Sequence, residues 1–355
     1  KNPAVPTSHP LLRKAKKITN DLAWLLTSPF IKDRHIIAVT GTKGKTTTAS
    51  AIAHILQATG HTAQLCGNMG LSGFSILDEW EKATSNNIAL PEYLVCEFSS
   101  WQIRDTAQAL APAGFPTFDI AVMTSFFPDH LNTYSGLESY RKDKLTLFGA
   151  HCTAVLGPEN EETVLKESGS PMIALALIPQ PGSNYVAIAD EFYKRYDQLT
   201  LFGAHCTAVL GPENMRKTFL TELKLPSGRI KTMEKLSVSM SNDLQQFLRA
   251  AYAAARVLKI PASRINDALH TFKGVSHRQE IIGTVGNIVF VNDSAATIPE
   301  AVTFTYSSFS NMTVHLICGG TDKNLEAASL TEPFKQAQSI ILLDGSFTRE
   351  KILPL

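Results

Sequence analysis

Four apolar residues run without a break from Ile36 to Val39 and lead into Thr40-Gly41-Thr42-Lys43-Gly44-Lys45-Thr46-Thr47-Thr48. Apolar positions then return as Ala51, Ile52, Ile55 and Leu56, at the spacing of one helix face. The pattern predicts a fully buried strand, a tight turn and a helix. Further short apolar runs at 93–96, 119–123, 152–156, 288–291, 314–318 and 340–343 alternate with helical stretches. Such runs predict an α/β fold built on mostly parallel sheets covered on both faces. Residues 244–258, with Ala250, Ala251, Ala253, Ala254 and Ala255, have high helix propensity and stop before Pro261. A new strand pattern begins after Gly274-Val275-Ser276-His277-Arg278. The predicted divisions are therefore 1–34, 35–276 and 277–355.

The 355 residues suit two or three domains at about 100–200 residues each. With 44% hydrophobic and 18% charged residues, a disordered chain is excluded. Thirty-three basic against 32 acidic residues leave a formal charge of +1, so no global field favours nucleic acid or an anionic membrane. No apolar stretch approaches the roughly 20 residues that cross a bilayer. Cys66, Cys96, Cys152, Cys206 and Cys318 are odd in number and lack a CxxC pair, so they read as buried small hydrophobes in a reducing compartment. The chain opens on Lys1 rather than Met, and a natural start upstream is expected. These features predict a cytoplasmic enzyme.

Residues 145–160 (LTLFGAHCTAVLGPEN) recur without change at 199–214. Two identical copies point to a recent duplication or an assembly artefact, not a solenoid. Lys144 precedes the first copy and Gln198 the second, so chemistry that needs the lysine belongs to the first.

The strand–turn–helix at 36–56 carries the strongest chemical signal. Glycines let backbone N–H groups turn toward phosphate oxygens, and a helix start adds partial positive charge. Lys45 can reach terminal phosphates and the Thr46 hydroxyl can ligate Mg²⁺. The first glycine of the standard GxxxxGK[ST] loop is replaced by Val39, and a plain Gly/Thr-rich turn is the competing reading.

The GTxGKTT variant resembles the Mur ligase family and its folylpolyglutamate synthase relatives, which join an amino acid to a carboxylate at the expense of ATP. Within that family the D-glutamate-adding branch is nearest. Asn2-Pro3-Ala4-Val5-Pro6-Thr7-Ser8-His9-Pro10-Leu11 is similar to its SPGVPxxHPxL linker, Gly67-Asn68-Met69-Gly70 to GNIG, and Glu97-Phe98-Ser99-Ser100-Trp101-Gln102 to ELSSFQ. Asp129-His130 with Tyr140-Arg141-Lys142-Asp143-Lys144 resembles DH…YxxAK. Gly274–Arg278, Asn292-Asp293-Ser294-Ala295-Ala296-Thr297 and Gly319-Gly320-Thr321-Asp322-Lys323 follow in family order, resembling GLPHR, NDSKAT and GGxDK. Ala295 stands where many members have lysine, and Ser241-Asn242 replaces His-Asn.

The resemblance implies a P-loop central domain and a Rossmann-like C-terminal α/β domain that stops short at Leu355. The uridine-nucleotide-binding domain that precedes the linker in the family is not seen. It implies ATP bound by Gly41, Thr42, Lys43, Gly44, Lys45, Thr46 and Thr47, with Asn242 near adenine and Arg278 and Asp293 on the nucleotide. Mg²⁺ would be held by Thr46, Glu97, His130 and Lys144, the lysine as a carbamate. Lys45, His130 and Lys144 would be catalytic, while Asn68, Ser99 and Lys323 would position substrates. The implied reaction adds D-glutamate to UDP-N-acetylmuramoyl-L-alanine through an acyl phosphate in peptidoglycan precursor synthesis, by a monomer. Competing readings are another Mur ligase, a folylpolyglutamate synthase-like ligase, or a nucleotide-binding regulator that has lost ligation.

Overall fold

The computed structural model describes residues 9–16, 18–68, 71–111, 113–116, 118–126, 129–130, 134–149, 153–156, 174–177, 185–189, 192–194, 200–202, 230–235, 242–309, 311–322 and 325–354. The chain divides into two compact units. The first comprises Lys1–Phe126, Arg141–Val238 and Gln246–Phe272; the second comprises Phe127–Tyr140, Ser239–Gln245 and Lys273–Leu355.

Two short helices open the first unit, α1 (Pro10–Lys14) and α2 (Asp21–Leu26). Asn20 fixes the start of α2: its Oδ1 accepts from the Ala23 N–H at 2.8 Å, and its Nδ2 donates to Thr106 at 2.9 Å. Then follow β1 (His35–Thr40), α3 (Lys45–Ala58), β2 (Ala63–Gly67), α4 (Gly73–Ser85), β3 (Tyr93–Glu97), α5 (Ser100–Leu110), β4 (Ile120–Met123), α6 (Leu137–Leu145), β5 (Thr153–Leu156) and β6 (Ala174–Leu177). The six strands form one sheet in the order β2-β3-β1-β4-β5-β6, with every neighbouring pair parallel.

Ile36, Ile37, Ala38 and Val39 of β1 are buried on both faces, as an uninterrupted apolar run requires. From β1 the chain crosses to one side of the sheet, and from β4 to the other. The carboxyl ends of these adjacent strands therefore open a crevice, where ligands of such sheets sit. Helix α3 covers the sheet through Ala51, Ile52, Ile55 and Leu56, all fully buried. Helices α7 (Asn242–Val257) and α8 (Ala262–Thr271) follow, and α8 closes on α3 with Arg264 donating to the Thr59 carbonyl at 2.8 Å.

The apolar-run reading misses β2, because Gln64 interrupts its pattern. Cys66 of β2 and Cys96 of β3 are in register and fully buried, with sulfurs 3.1 Å apart. The hydrogen bond to Cys96, then burial, holds the Cys66 thiol well above its ordinary range, which suits an inert packing role.

Further along are β7 (Tyr185–Ala189), β8 (Phe192–Lys194), β9 (Thr200–Phe202) and β10 (Ile230–Lys235), paired antiparallel as β7–β10 and β8–β9.

The second unit contains an antiparallel hairpin, β11 (Glu280–Val285) and β12 (Ile288–Asn292), turning at Gly286 with φ 59°. Helix α9 (Pro299–Ser308), β13 (His315–Gly319), α10 (Thr331–Gln336) and β14 (Ser339–Leu343) follow, β13 and β14 being parallel. Leu342 packs on the cluster of Ala327, Leu330 and Ile352, whereas Ile341 and Leu343 on the opposite face are exposed, as is Ile317. Two-sided cover is therefore absent here among the described residues. Two strands with helices on one side leave the other side bare.

Candidate functional site

The turn after β1 is held from every side. Gly41 and Gly44 take φ 147° and 79°, and a Cβ on either would lie 2.0 Å from a neighbour, Thr124 Oγ1 or the Phe247 ring. Glycine is required at both for conformation and for space. Gly44 begins α3 with no side-chain cap, so the helix start is left to the loop itself. Thr42 donates its N–H to the Ser125 carbonyl at 2.8 Å, and Lys43 donates its N–H to Ser125 Oγ at 2.8 Å. Lys45 Nζ donates to the Thr42 carbonyl at 3.0 Å. Thr46 is half-buried and Thr47 is buried in the first turn of α3.

Glu97 ends β3 in register with Val39. It is fully buried; Oε1 accepts from Asn68 Nδ2 at 3.1 Å, while Oε2 has no hydrogen-bond partner among the described residues. Asn68 also donates its backbone N–H to the Glu97 carbonyl at 3.0 Å. The turn between them is tight, since a Cβ on Gly67 would sit 2.1 Å from that same carbonyl oxygen. A buried carboxylate with one unsatisfied oxygen is costly unless a cation or donor completes it. That orphan fits Mg²⁺, a hard cation usually held by one or two carboxylates together with phosphate oxygens. Among the described residues no three His, Cys, Asp or Glu side chains converge on one point.

Lys144, in the last turn of α6, is 1% exposed and donates from Nζ to the Gly41 carbonyl at 2.7 Å. Lys142, two residues earlier, is exposed. Structure thus brings Lys144, Gly41–Thr47, Glu97 and Asn68 to one edge of the first unit. Ser99 is engaged elsewhere. Its hydroxyl accepts from the Gln102 N–H at 3.3 Å and donates to Gln102 Oε1 at 2.9 Å, a capping box at the start of α5.

In the second unit His130 takes φ 57°, its N–H donating to Asp129 Oδ1 at 2.8 Å. Its ring meets Tyr140 edge-on at 6.2 Å. Asp293 accepts from the Gln279 N–H at 3.2 Å and from the Thr305 hydroxyl, which ties the turn containing Arg278 to α9. Asn242 is the first residue of α7. Lys323 lies outside the described residues.

Sequence reasoning missed Thr124, Ser125 and Phe247. The first two follow β4 directly, so the available signal was a Thr-Ser pair at the carboxyl end of an apolar strand. Phe247 covers Gly44 from a helix far along the chain, and Thr48 Oγ1 donates to its carbonyl at 3.2 Å. No local pattern announces that contact. Arg249, next on α7 but one, is fully buried, and burial lowers its guanidinium to about 10, leaving it cationic at neutral pH.

A parallel sheet with a glycine-shaped loop at the crevice between β1 and β4, and a buried acid and lysine beside it, defines a nucleotide-phosphate-binding α/β protein. Residues 39–176 match the Mur ligase middle domain. The chain belongs to the Mur ligase family. It is 30% identical over 355 residues to UDP-N-acetylmuramoylalanine–D-glutamate ligase of Trichormus variabilis, covering 97% of this chain and 68% of that protein. The enzyme of the same name from Borreliella afzelii is 28% identical over 357 residues, covering 98% of this chain and 67% of the relative. The chain thus spans about two thirds of the length of these curated relatives. Among solved structures, MurF ligase from Thermotoga maritima in complex with ADP shares the fold at TM-score 0.58 and 17% identity, over 91% of this chain and 73% of that one. No helix among the described residues is long and apolar enough to cross a membrane.

Proposed function

We propose that this chain is the ATP-binding part, with a portion of the following domain, of a ligase that joins D-glutamate to UDP-N-acetylmuramoyl-L-alanine in peptidoglycan precursor synthesis. The buried Glu97 carboxylate carries the reading, with one oxygen unsatisfied beside the phosphate loop. The choice of D-glutamate rests on the named relatives.

ATP phosphates lie against Gly41–Thr47, where Lys45 turns from the Thr42 carbonyl to the phosphates. Glu97, Thr46, His130 and a carbamylated Lys144 would hold Mg²⁺, which would supply neutralisation of phosphate charge when bound. The substrate carboxylate attacks phosphorus, an acyl phosphate forms and ADP leaves. The amine of D-glutamate then adds to the acyl carbon, and phosphate is expelled. Such transfers need positioning and charge neutralisation above all. Asn68 orients Glu97 and the acceptor end of the substrate, and Lys323 pairs with the carboxylate of D-glutamate. Asn242, Arg278 and Asp293 contact the nucleotide. Ser99, at the start of α5, helps position the substrate. The enzyme acts as a cytoplasmic monomer.

The test is phosphate release by the full reading frame with UDP-N-acetylmuramoyl-L-alanine and a panel of amino acids. D-Glutamate alone should stimulate. Stimulation by L-lysine, diaminopimelate or L-glutamate instead assigns another ligase, and nucleotide binding without turnover assigns a regulator.

A further inference from the structure

An anion-binding loop works only if its carbonyl oxygens face away from the anion while its N–H groups face it. Five consecutive carbonyls here each have a donor. The Thr40 oxygen accepts from the Thr124 N–H at 2.9 Å, and the Gly41 oxygen from Lys144 at 2.7 Å. The Thr42 oxygen accepts from Lys45, and the Gly44 oxygen from the Thr48 N–H at 2.9 Å. The Lys43 oxygen accepts from both Thr124 Oγ1 and Ser125 Oγ.

Lys43 is the residue on which the loop turns, between glycines that no regular structure holds. Ser125 grips it twice, donating to its carbonyl at 3.0 Å and accepting from its N–H at 2.8 Å. Both Thr124 and Ser125 are 1% exposed, and both sit at the end of β4, beside β1 in the sheet. Their hydroxyls follow a strand of the sheet and, among the described residues, bond backbone groups of Thr40 and Lys43.

We propose that Thr124 and Ser125 are positioning residues for the nucleotide: by gripping the Lys43 carbonyl they hold the Lys43–Gly44 peptide in the one orientation that turns the Gly44 N–H, and not the carbonyl, toward the phosphates. The proposal rests on the reading of this loop as the nucleotide site. Neither hydroxyl touches the nucleotide. Without them the Lys43–Gly44 peptide can flip its carbonyl toward the anion.

The test uses the 355-residue chain and a fluorescent ATP analogue with Mg²⁺, alongside thermal melting. Thr124→Val, which keeps shape and loses the hydroxyl, and Ser125→Ala should each weaken binding about tenfold. Affinity for the fluorescent adenosine analogue lacking phosphates should stay within twofold. Thr124→Ser restores the hydroxyl and should restore affinity. Lys45→Ala tests the underlying reading: if it binds as tightly as the parent, the loop is not the nucleotide site. If Lys45→Ala fails to bind while Thr124→Val and Ser125→Ala bind within twofold of the parent, the positioning role is wrong. Should Thr124→Val fail to fold, Ser125→Ala against the parent decides by the same criterion. Equal losses for the ATP and adenosine analogues would reduce the pair to a structural role and overturn the proposal.

Discussion

Replacing Lys144 by alanine separates two chemistries that one side chain could perform. Lys144 is 1% exposed, and its Nζ donates to the Gly41 carbonyl at 2.7 Å. Truncation leaves a buried carbonyl without its donor, costing about 1–3 kcal/mol. It also removes three buried methylenes, which by analogy with large-to-small core changes costs about 2–5 kcal/mol. Set against a typical stability of about 5–15 kcal/mol, the variant should fold with a lowered melting temperature. Activity discriminates further. A carbamate nitrogen keeps one N–H, so a modified Lys144 can still donate to Gly41 while its two oxygens extend beyond. Alanine then removes an anion, and acyl-phosphate formation should slow by orders of magnitude. Acetate, a carboxylate of similar size, should enter the space and partly restore turnover. An unmodified ammonium predicts the reverse, with rescue by methylamine. The assay is phosphate release by Lys144→Ala in the full reading frame with added acetate or methylamine, together with ¹³C-bicarbonate NMR on the parent protein. Methylamine rescue, or turnover at the parent rate without any additive, refutes the carbamate.

Glu97→Gln keeps the shape and an acceptor for Asn68 but removes the charge, so the Mg²⁺ concentration for half-maximal binding of the ATP analogue should rise at least about tenfold, a loss of about 1.4 kcal/mol; an unchanged magnesium titration would remove Glu97 from the metal site. Deleting 145–160 removes the buried Leu145, Leu147 and Phe148 and the strand β5 that joins β4 to β6, so the product should not fold. Deleting 199–214 should leave nucleotide binding intact by fluorescence titration, and equal damage from both deletions would contradict the assignment of the first copy to the sheet.

What could be read from the residues was whatever lies close in sequence. β1, its loop and α3 follow one another directly along the chain, and each depends on its own pattern: an apolar run, two glycines with positive φ, an apolar helix face. Glu97 was legible as the acid at the end of an apolar strand. Its link to Asn68 was not, because the two meet only when β2 and β3 pair side by side. Ser99 shows the limit from the other direction. Its motif resemblance suggested substrate, yet its hydroxyl is engaged by Gln102 three residues on, in a cap that any Ser-x-x-Gln pattern can form.

The duplicated segment carries this argument to its end, because it holds local sequence constant. Thr146-Leu147-Phe148 forms a 3-10 turn at the end of α6, with Leu147 and Phe148 fully buried, whereas Thr200-Leu201-Phe202 is the strand β9 paired with β8. Identical side chains with identical intrinsic propensities thus take two backbone conformations. Propensity differences are worth about 1 kcal/mol per residue at most outside proline, less than the burial of a single leucine or phenylalanine. What differs is the chain on either side of each copy, beginning with what precedes it. The first is delivered by α6 directly against the sheet, in the turn after Lys144 contacts Gly41, so its leucine and phenylalanine have a core to enter. The conformation of this segment is therefore set by where the preceding helix delivers it, and the chemistry attributed to Lys144 depends on the same delivery.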